Sequence, residues 1–243
     1  MILAILLAGV PGGVTAQTPT VVSAAASLTN VLQQLAGAYE RRSGERVVLN
    51  FAASNTLARQ IAAGARVDLF ISADAAQMNV VAAQVDSSSR VDLLANQLAI
   101  AVPDDRPRRF SSARELTDPA IRRIALGDPA AVPAGIYAKA YLEQMKVWGA
   151  VAPKVMPTAS VRLALAAVEN GAADAAIVYK TDISAARHVR EAFVVSAREG
   201  PRIVYPAAVV RTGRNSEGAR RFLRFLQSAE ATDMFERFGF LRP

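Results

Sequence analysis

A three-part unit near the start of the chain limits the folds open to it. A short apolar run gives way to a few small residues, and then to apolar side chains at helical spacing. Val21-Val22-Ser23-Ala24-Ala25-Ala26-Ser27 leads into Leu28, Val31, Leu32 and Leu35, with Tyr39 one turn further. The apolar stretch at 47–51 leads through Ala52-Ala53-Ser54-Asn55-Thr56 into Leu57 and Ile61. A third unit runs from Val67-Asp68-Leu69-Phe70-Ile71 through Ser72-Ala73-Asp74 to a short helix at Met78. A change of period from 2 to 3.6 is a change from strand to helix, and Gly44 and Gly64 are stop signals for the first two helices. Alternation of this kind predicts a parallel sheet with helices on both faces.

In such sheets ligands bind outside the carboxyl ends of the strands, where helix N-termini gather. A helix start presents free backbone N–H groups and the positive end of the dipole, so it favours an anion. Between Val21 and Tyr39 there is no Lys, Arg or His, so an anion held there would meet neutral donors. Taken alone, Ser27 also satisfies the simpler role of an N-cap.

The pattern returns in the second half. Strands are predicted at 98–102, ended by Pro103, and at 124–126, followed by Gly127-Asp128-Pro129. Val132-Pro133-Ala134-Gly135-Ile136-Tyr137 opens a helix with Pro133 at its first position, where the missing N–H costs nothing. A strand at 154–156 precedes Ser160, the predicted cap of a helix over 161–168. The apolar run at 175–179 ends in Tyr179, and the chain turns at 180–182. Strands at 193–195 and 203–210 precede a final helical region capped by Ser216 and closed by Gly239. Two α/β halves with no flexible linker predict two lobes, each a mostly parallel sheet flanked by helices. The predicted crossing strands are 96–102 and 206–212. The corresponding boundaries are a leader at 1–16, lobe 1 at 17–97 plus 208–243, and lobe 2 at 98–207, with the site in the cleft.

Composition narrows the function. The chain of 243 residues has no cysteine, which removes disulfides and thiol chemistry. Its formal charge of +7 is scattered in ones and twos, as in Arg41-Arg42 and Arg122-Arg123, with no basic run or aromatic interleaving of a nucleic-acid surface. The single histidine, His188, sits in a polar stretch, and no G-x-S-x-G, P-loop or HExxH is present. Asp68, Asp74, Asp128 and Asp182 near strand ends read as caps and turn residues. Neither an enzyme nor a cofactor is expected. Residues 2–10 form an apolar run too short to span a bilayer, and Val14-Thr15-Ala16 offers small residues at the positions a signal peptidase requires. Export to the periplasm as a soluble protein is the expectation.

Read in order, these motifs resemble the periplasmic molybdate-binding proteins of ABC uptake systems. The resemblance rests on Ala24-Ala25-Ala26-Ser27-Leu28-Thr29, on the stretch from Phe51 through Ser54 to Gln60, and on the third unit from Asp68 to Asp74. It also rests on Gly127-Asp128-Pro129 with Val132-Pro133-Ala134-Gly135-Ile136-Tyr137, on Ile177-Val178-Tyr179, and on the ending Phe235-Glu236-Arg237-Phe238-Gly239-Phe240. It implies the two-lobed type II periplasmic binding protein fold. It further implies a dehydrated tetrahedral oxyanion, molybdate or tungstate, held by neutral donors at Ser27, Ser54, Ala134, Val161 and Tyr179. The molybdenum would be bound only as its oxyanion, with no direct metal ligand. The implied partner is a membrane ABC permease, and a monomer is expected. Sulfate or thiosulfate is the alternative cargo. The family often has serine where Asn55 stands. N-terminal sequencing of the exported protein is expected to start at Gln17; a mature chain retaining residues 2–10 would refute the leader.

Overall fold

The structure, a computed structural model, describes residues 18–106 and 108–243, so the expected leader lies outside the described residues. The first units form as the periodicity requires. Strand β1 (Thr20–Ala25) leads to α1 (Thr29–Ser43), β2 (Val47–Ala52) to α2 (Ser54–Ala62), and β3 (Leu69–Ile71) to α3 (Ala75–Val80). Strand β4 (Val91–Asn96) follows, and Gln97 alone joins it to β5 (Leu98–Pro103). The second half runs β6 (Ile124–Gly127), α4 (Pro133–Gln144), α5 (Trp148–Val151), β7 (Val155–Thr158), α6 (Val161–Glu169), β8 (Ala175–Tyr179), α7 (Lys180–Ile183) and β9 (Val189–Val194). The chain then returns as β10 (Ile203–Val209) and ends in α8 (Ser216–Leu226) and α9 (Ala229–Arg237).

These strands make two five-stranded sheets, ordered β2-β1-β3-β10-β4 and β7-β6-β8-β5-β9. The two orders are the same pattern. In the first, Thr20 pairs with Val47 and Val22 with Leu69, both in parallel ladders. In the second, Ile124 pairs in parallel with Val155 and with Ala175. Strand β10 runs antiparallel to both its neighbours, and so does β5. Four strands of each sheet therefore point one way, and the reversed strand is the one laid down just after the chain changes lobe. All the carboxyl ends that lead into helices face the cleft, because parallel strands put their ends on one edge.

The chain first passes between the sheets at Gln97, and Leu98–Pro103 is a strand of the second sheet rather than part of a crossing strand over 96–102. The second crossing does not lie at 206–212: every residue of Ile203–Val209 is buried as a central strand of the first sheet, so the return occupies 195–202 and β10 belongs to lobe 1. Strand β4 escaped the sequence reading because Asp92 and Asn96 interrupt its apolar pattern at the sheet edge. The last helical region is two helices. Ser228 caps the second by accepting the Ala231 N–H at 3.3 Å, and Asn215 rather than Ser216 caps the first.

One apolar core runs through both lobes, and a smaller one lies under α2 and α3. Helix α1 buries Leu32, Leu35 and Tyr39; the Tyr39 ring meets Phe222 of α8 edge-on, 5.1 Å between centroids. Burying each such side chain contributes about 1.5–3 kcal/mol. Among the described residues no helix is long and apolar enough to cross a membrane.

The start of α4 is seated directly on the end of β6. A Cβ at Gly135 would run into the Gly127 carbonyl, so only glycine permits the approach that aims the helix start into the cleft. Gly135→Ala is expected to cost about 1–3 kcal/mol and lower Tm by several degrees. Gly149→Ala, whose Cβ would meet open space within α5, should hold or raise Tm; equal melting of the two variants would refute the tight seating.

Candidate oxyanion-binding site

Each predicted site residue lies where a strand ends or a helix begins. Strand β1 runs into a 3₁₀ turn, Ala26–Leu28, that holds Ser27 almost fully buried. Ser54 is the first residue of α2, Ala134 the second of α4, and Val161 the first of α6. Tyr179 ends β8. All five line one small cavity between the lobes, together with Ala73, Pro133 and Ser160. Its walls carry no charged side chain.

The serines do not serve as caps. The N-caps of the two helical segments are Ala25 and Ala53, neither of which makes a side-chain cap bond. Instead the Ser27 Oγ lies 3.0 Å from the Tyr205 hydroxyl, and the Ser54 Oγ accepts the Ala73 N–H at 2.9 Å. Ser160 is the serine that caps, accepting the Leu163 N–H at 3.3 Å. The first N–H groups of α2, α4 and α6 have no intrahelical acceptor and point out of the helix ends. Tyr179 completes the set. Its hydroxyl is buried with no hydrogen-bond partner among the described residues. Burial, reinforced by Tyr205, Tyr137, Asp74 and Asp182, pushes its pKa well above the ordinary phenol value, so it stays a neutral donor. A buried unpaired hydroxyl costs on the order of 1–3 kcal/mol and asks for an acceptor. Asn55, the departure from the family pattern, is buried in α2 but does not line the cavity.

The aspartates do structural work. Asp74 caps α3 through Gln77, Asp128 holds the Ala130 N–H, and Asp68 accepts from Val21 and Asn215. Asp182 is the exception in weight, because it is fully buried just behind the site. Burial raises its pKa to about 6, against the pull of Arg162. The Arg162 Nε stands 2.9 Å from the Asp182 Oδ1, an ion pair at contact distance whose N–H is not aimed along the bond line. Its Nη2 also donates to the Ser27 carbonyl at 3.3 Å, which ties α6 of one lobe to the β1 turn of the other.

Arg162 was missed at the sequence level, where only neutral donors were expected near an anion. The signal was present: a cation in the first turn of a helix opposes the dipole and needs a reason to be there. His188, by contrast, is exposed beside Asp104 on the surface.

Fold and cavity together define a two-lobed binding protein with a small cleft lined by neutral groups. The family profile of bacterial extracellular solute-binding proteins matches residues 20–241, and the chain belongs to that family. It is 38% identical over 225 residues to the molybdate-binding protein ModA of Escherichia coli, covering 90% of this chain and 87% of that one. The Azotobacter vinelandii periplasmic molybdate-binding protein superposes with a TM-score of 0.84 at 22% identity, covering 92% and 99% of the two chains. The sulfate-binding protein SubI of Mycobacterium tuberculosis superposes at 0.78 and 18% identity, covering 92% and 86%. At those identities the likeness is one of fold.

Removing the guanidinium would leave the Asp182 carboxylate buried without a countercharge, with only the Tyr179 N–H donating to it. Its pKa already lies above the ordinary carboxylate value, so the folded state favours the protonated form. The ionisation penalty therefore grows as pH rises from about 4 through about 6. Arg162→Met should raise that pKa further and cost about 2–4 kcal/mol at pH 7.5, with the loss shrinking toward pH 5 as Asp182 takes up its proton. Urea titrations at both pH values check this; a loss independent of pH would refute it.

Proposed function

We propose that this protein captures molybdate and tungstate in the interlobe cleft and presents them to a membrane ABC permease. Ser27 and Ser54 supply hydroxyl and backbone donors, Ala134 and Val161 supply backbone N–H groups, and Tyr179 supplies its phenol. The observation that carries this reading is the Tyr179 hydroxyl, buried without a partner in a cavity ringed by helix starts. A tetrahedral anion satisfies that hydroxyl and the free N–H groups at once. The 38% identity to a molybdate-binding protein supports molybdate over sulfate as the cargo. The protein works as a periplasmic monomer after loss of its leader, without cofactor, catalysis or nucleic acid. Molybdenum is cargo, held only as its oxyanion.

Selectivity follows from hydrogen bonding and size. Backbone N–H groups cannot accept a hydrogen bond. Hydrogen phosphate carries a proton that would be buried without an acceptor, at a cost of about 1–3 kcal/mol. Sulfate carries none but is smaller, so in a cavity set by helix ends its oxygens fall short of some donors. Because contacts come from both lobes, the anion binds the closed arrangement best and draws the population toward it. The closed arrangement is then the form a permease can distinguish.

Calorimetric titration should show molybdate and tungstate binding alike, sulfate far more weakly and phosphate undetectably. Ser27→Ala and Ser54→Ala should each weaken molybdate roughly tenfold to a hundredfold, the loss of one hydrogen bond to a charged group at about 1.5–3 kcal/mol. Sulfate displacing molybdate at comparable concentration would overturn the assignment in favour of another oxyanion.

A further inference from the structure

The site serines face the cavity with their hydroxyl protons only if something else occupies their accepting sides. For Ser54 that is the Ala73 N–H, which can do nothing but donate. For Ser27 the partner is another hydroxyl, Tyr205, and distance alone leaves the direction open. Asn96 resolves it. Its Oδ1 lies 2.8 Å from the Gln97 N–H, a group that can only donate, so the amide orientation is assigned. The two protons of its Nδ2 then go to the Thr181 Oγ1 at 2.9 Å and to the Tyr205 Oη at 3.2 Å. Tyr205 is fully buried, and burial raises its pKa far above the ordinary value, so it keeps its proton. The acceptor within reach of that proton, among the described residues, is the Ser27 Oγ. The reverse direction would leave a buried phenol proton with no partner.

We propose that Asn96 and Tyr205 are positioning residues that lock the Ser27 hydroxyl as a donor toward the cleft, and so set the discrimination between proton-free and protonated oxyanions. The inference rests on the oxyanion reading of the site. Asn96 ends the strand that leads into the first crossing, and Thr181 belongs to the opposite lobe, so the chain of hydrogen bonds also runs from the crossing into the site. Without the lock, Ser27 could turn its lone pair to the cleft and accept the proton of hydrogen phosphate.

The test is calorimetry at pH 8, where molybdate, sulfate and hydrogen phosphate are all dianions and only phosphate carries a proton. Tyr205→Phe frees Ser27. Molybdate and sulfate should each weaken by about 3- to 10-fold, the range for one hydrogen bond, with their ratio unchanged. Phosphate, undetectable in the wild type, should become measurable, so the molybdate-to-phosphate ratio collapses. Asn96→Asp keeps the shape and the Gln97 contact but accepts where asparagine donates, which reverses the chain and turns the Ser27 proton away from the cleft. Molybdate and sulfate should then weaken by more than tenfold while phosphate becomes measurable, whereas charge repulsion or general damage would weaken molybdate and sulfate and leave phosphate undetectable. Thermal melts establish that each variant is folded, and either variant suffices for the ratio test. Phosphate that stays undetectable in both variants while molybdate and sulfate weaken overturns the proposal and leaves the wild-type molybdate reading intact. A wild-type protein that binds none of the three overturns that reading and the proposal with it.

Discussion

The structure depends on one constraint of hydrogen-bond direction: a dry cavity can hold a multiply charged anion only if the groups around it donate. Helix starts meet that demand with the backbone alone, since their first N–H groups can donate and have no partner within the helix. Strand direction then decides how many starts can be gathered. In each sheet four strands point the same way, so several strand-to-helix turns emerge along one edge. Two such edges, facing each other, enclose a small cavity from opposite sides.

Neutrality of the walls is achieved by displacing the charges rather than by omitting them. Asp182 and Asp74 lie behind the lining, each holding backbone N–H groups at a helix start. A buried carboxylate so close to an anion site would oppose binding, and Arg162, in contact with it, offsets its charge. The guanidinium is thus spent on a carboxylate and a carbonyl, which leaves the anion to meet dipoles. Dipoles of fixed orientation act at short range and reward shape, so they discriminate between oxyanions better than a mobile cation would.

The same atoms that shape the cavity also connect the lobes. Arg162 reaches from α6 to the Ser27 carbonyl, and Asn96 at the first crossing reaches Thr181 in lobe 2 and Tyr205 in lobe 1. The apolar core is likewise continuous across the division. Opening the cleft must therefore break these polar contacts and part of the apolar packing across the division, while the packing within each lobe survives. A ligand that contacts both sides shifts the balance by its differential affinity for the closed state.

Much of this was legible in the sequence, because the signals are local. Apolar periodicity marked the alternating strands and helices, and Gly44, Pro133 and Ser160 act through the backbone beside them. The five residues expected at the site do share one cavity, since turns at the carboxyl ends of parallel strands have little choice of where to lie. The return crossing, β4 and the break at Ser228 were misjudged where polar residues or a short loop interrupt the periodic signal. What only the tertiary structure decided is which partner each polar group finds. Ser27 meets Tyr205 from 178 positions away and Asn96 meets Thr181 from 85. A serine at the head of a helix looks like a cap in sequence. Whether it caps or donates to a ligand depends on what the rest of the fold places on its lone pairs, and no local pattern carries that information.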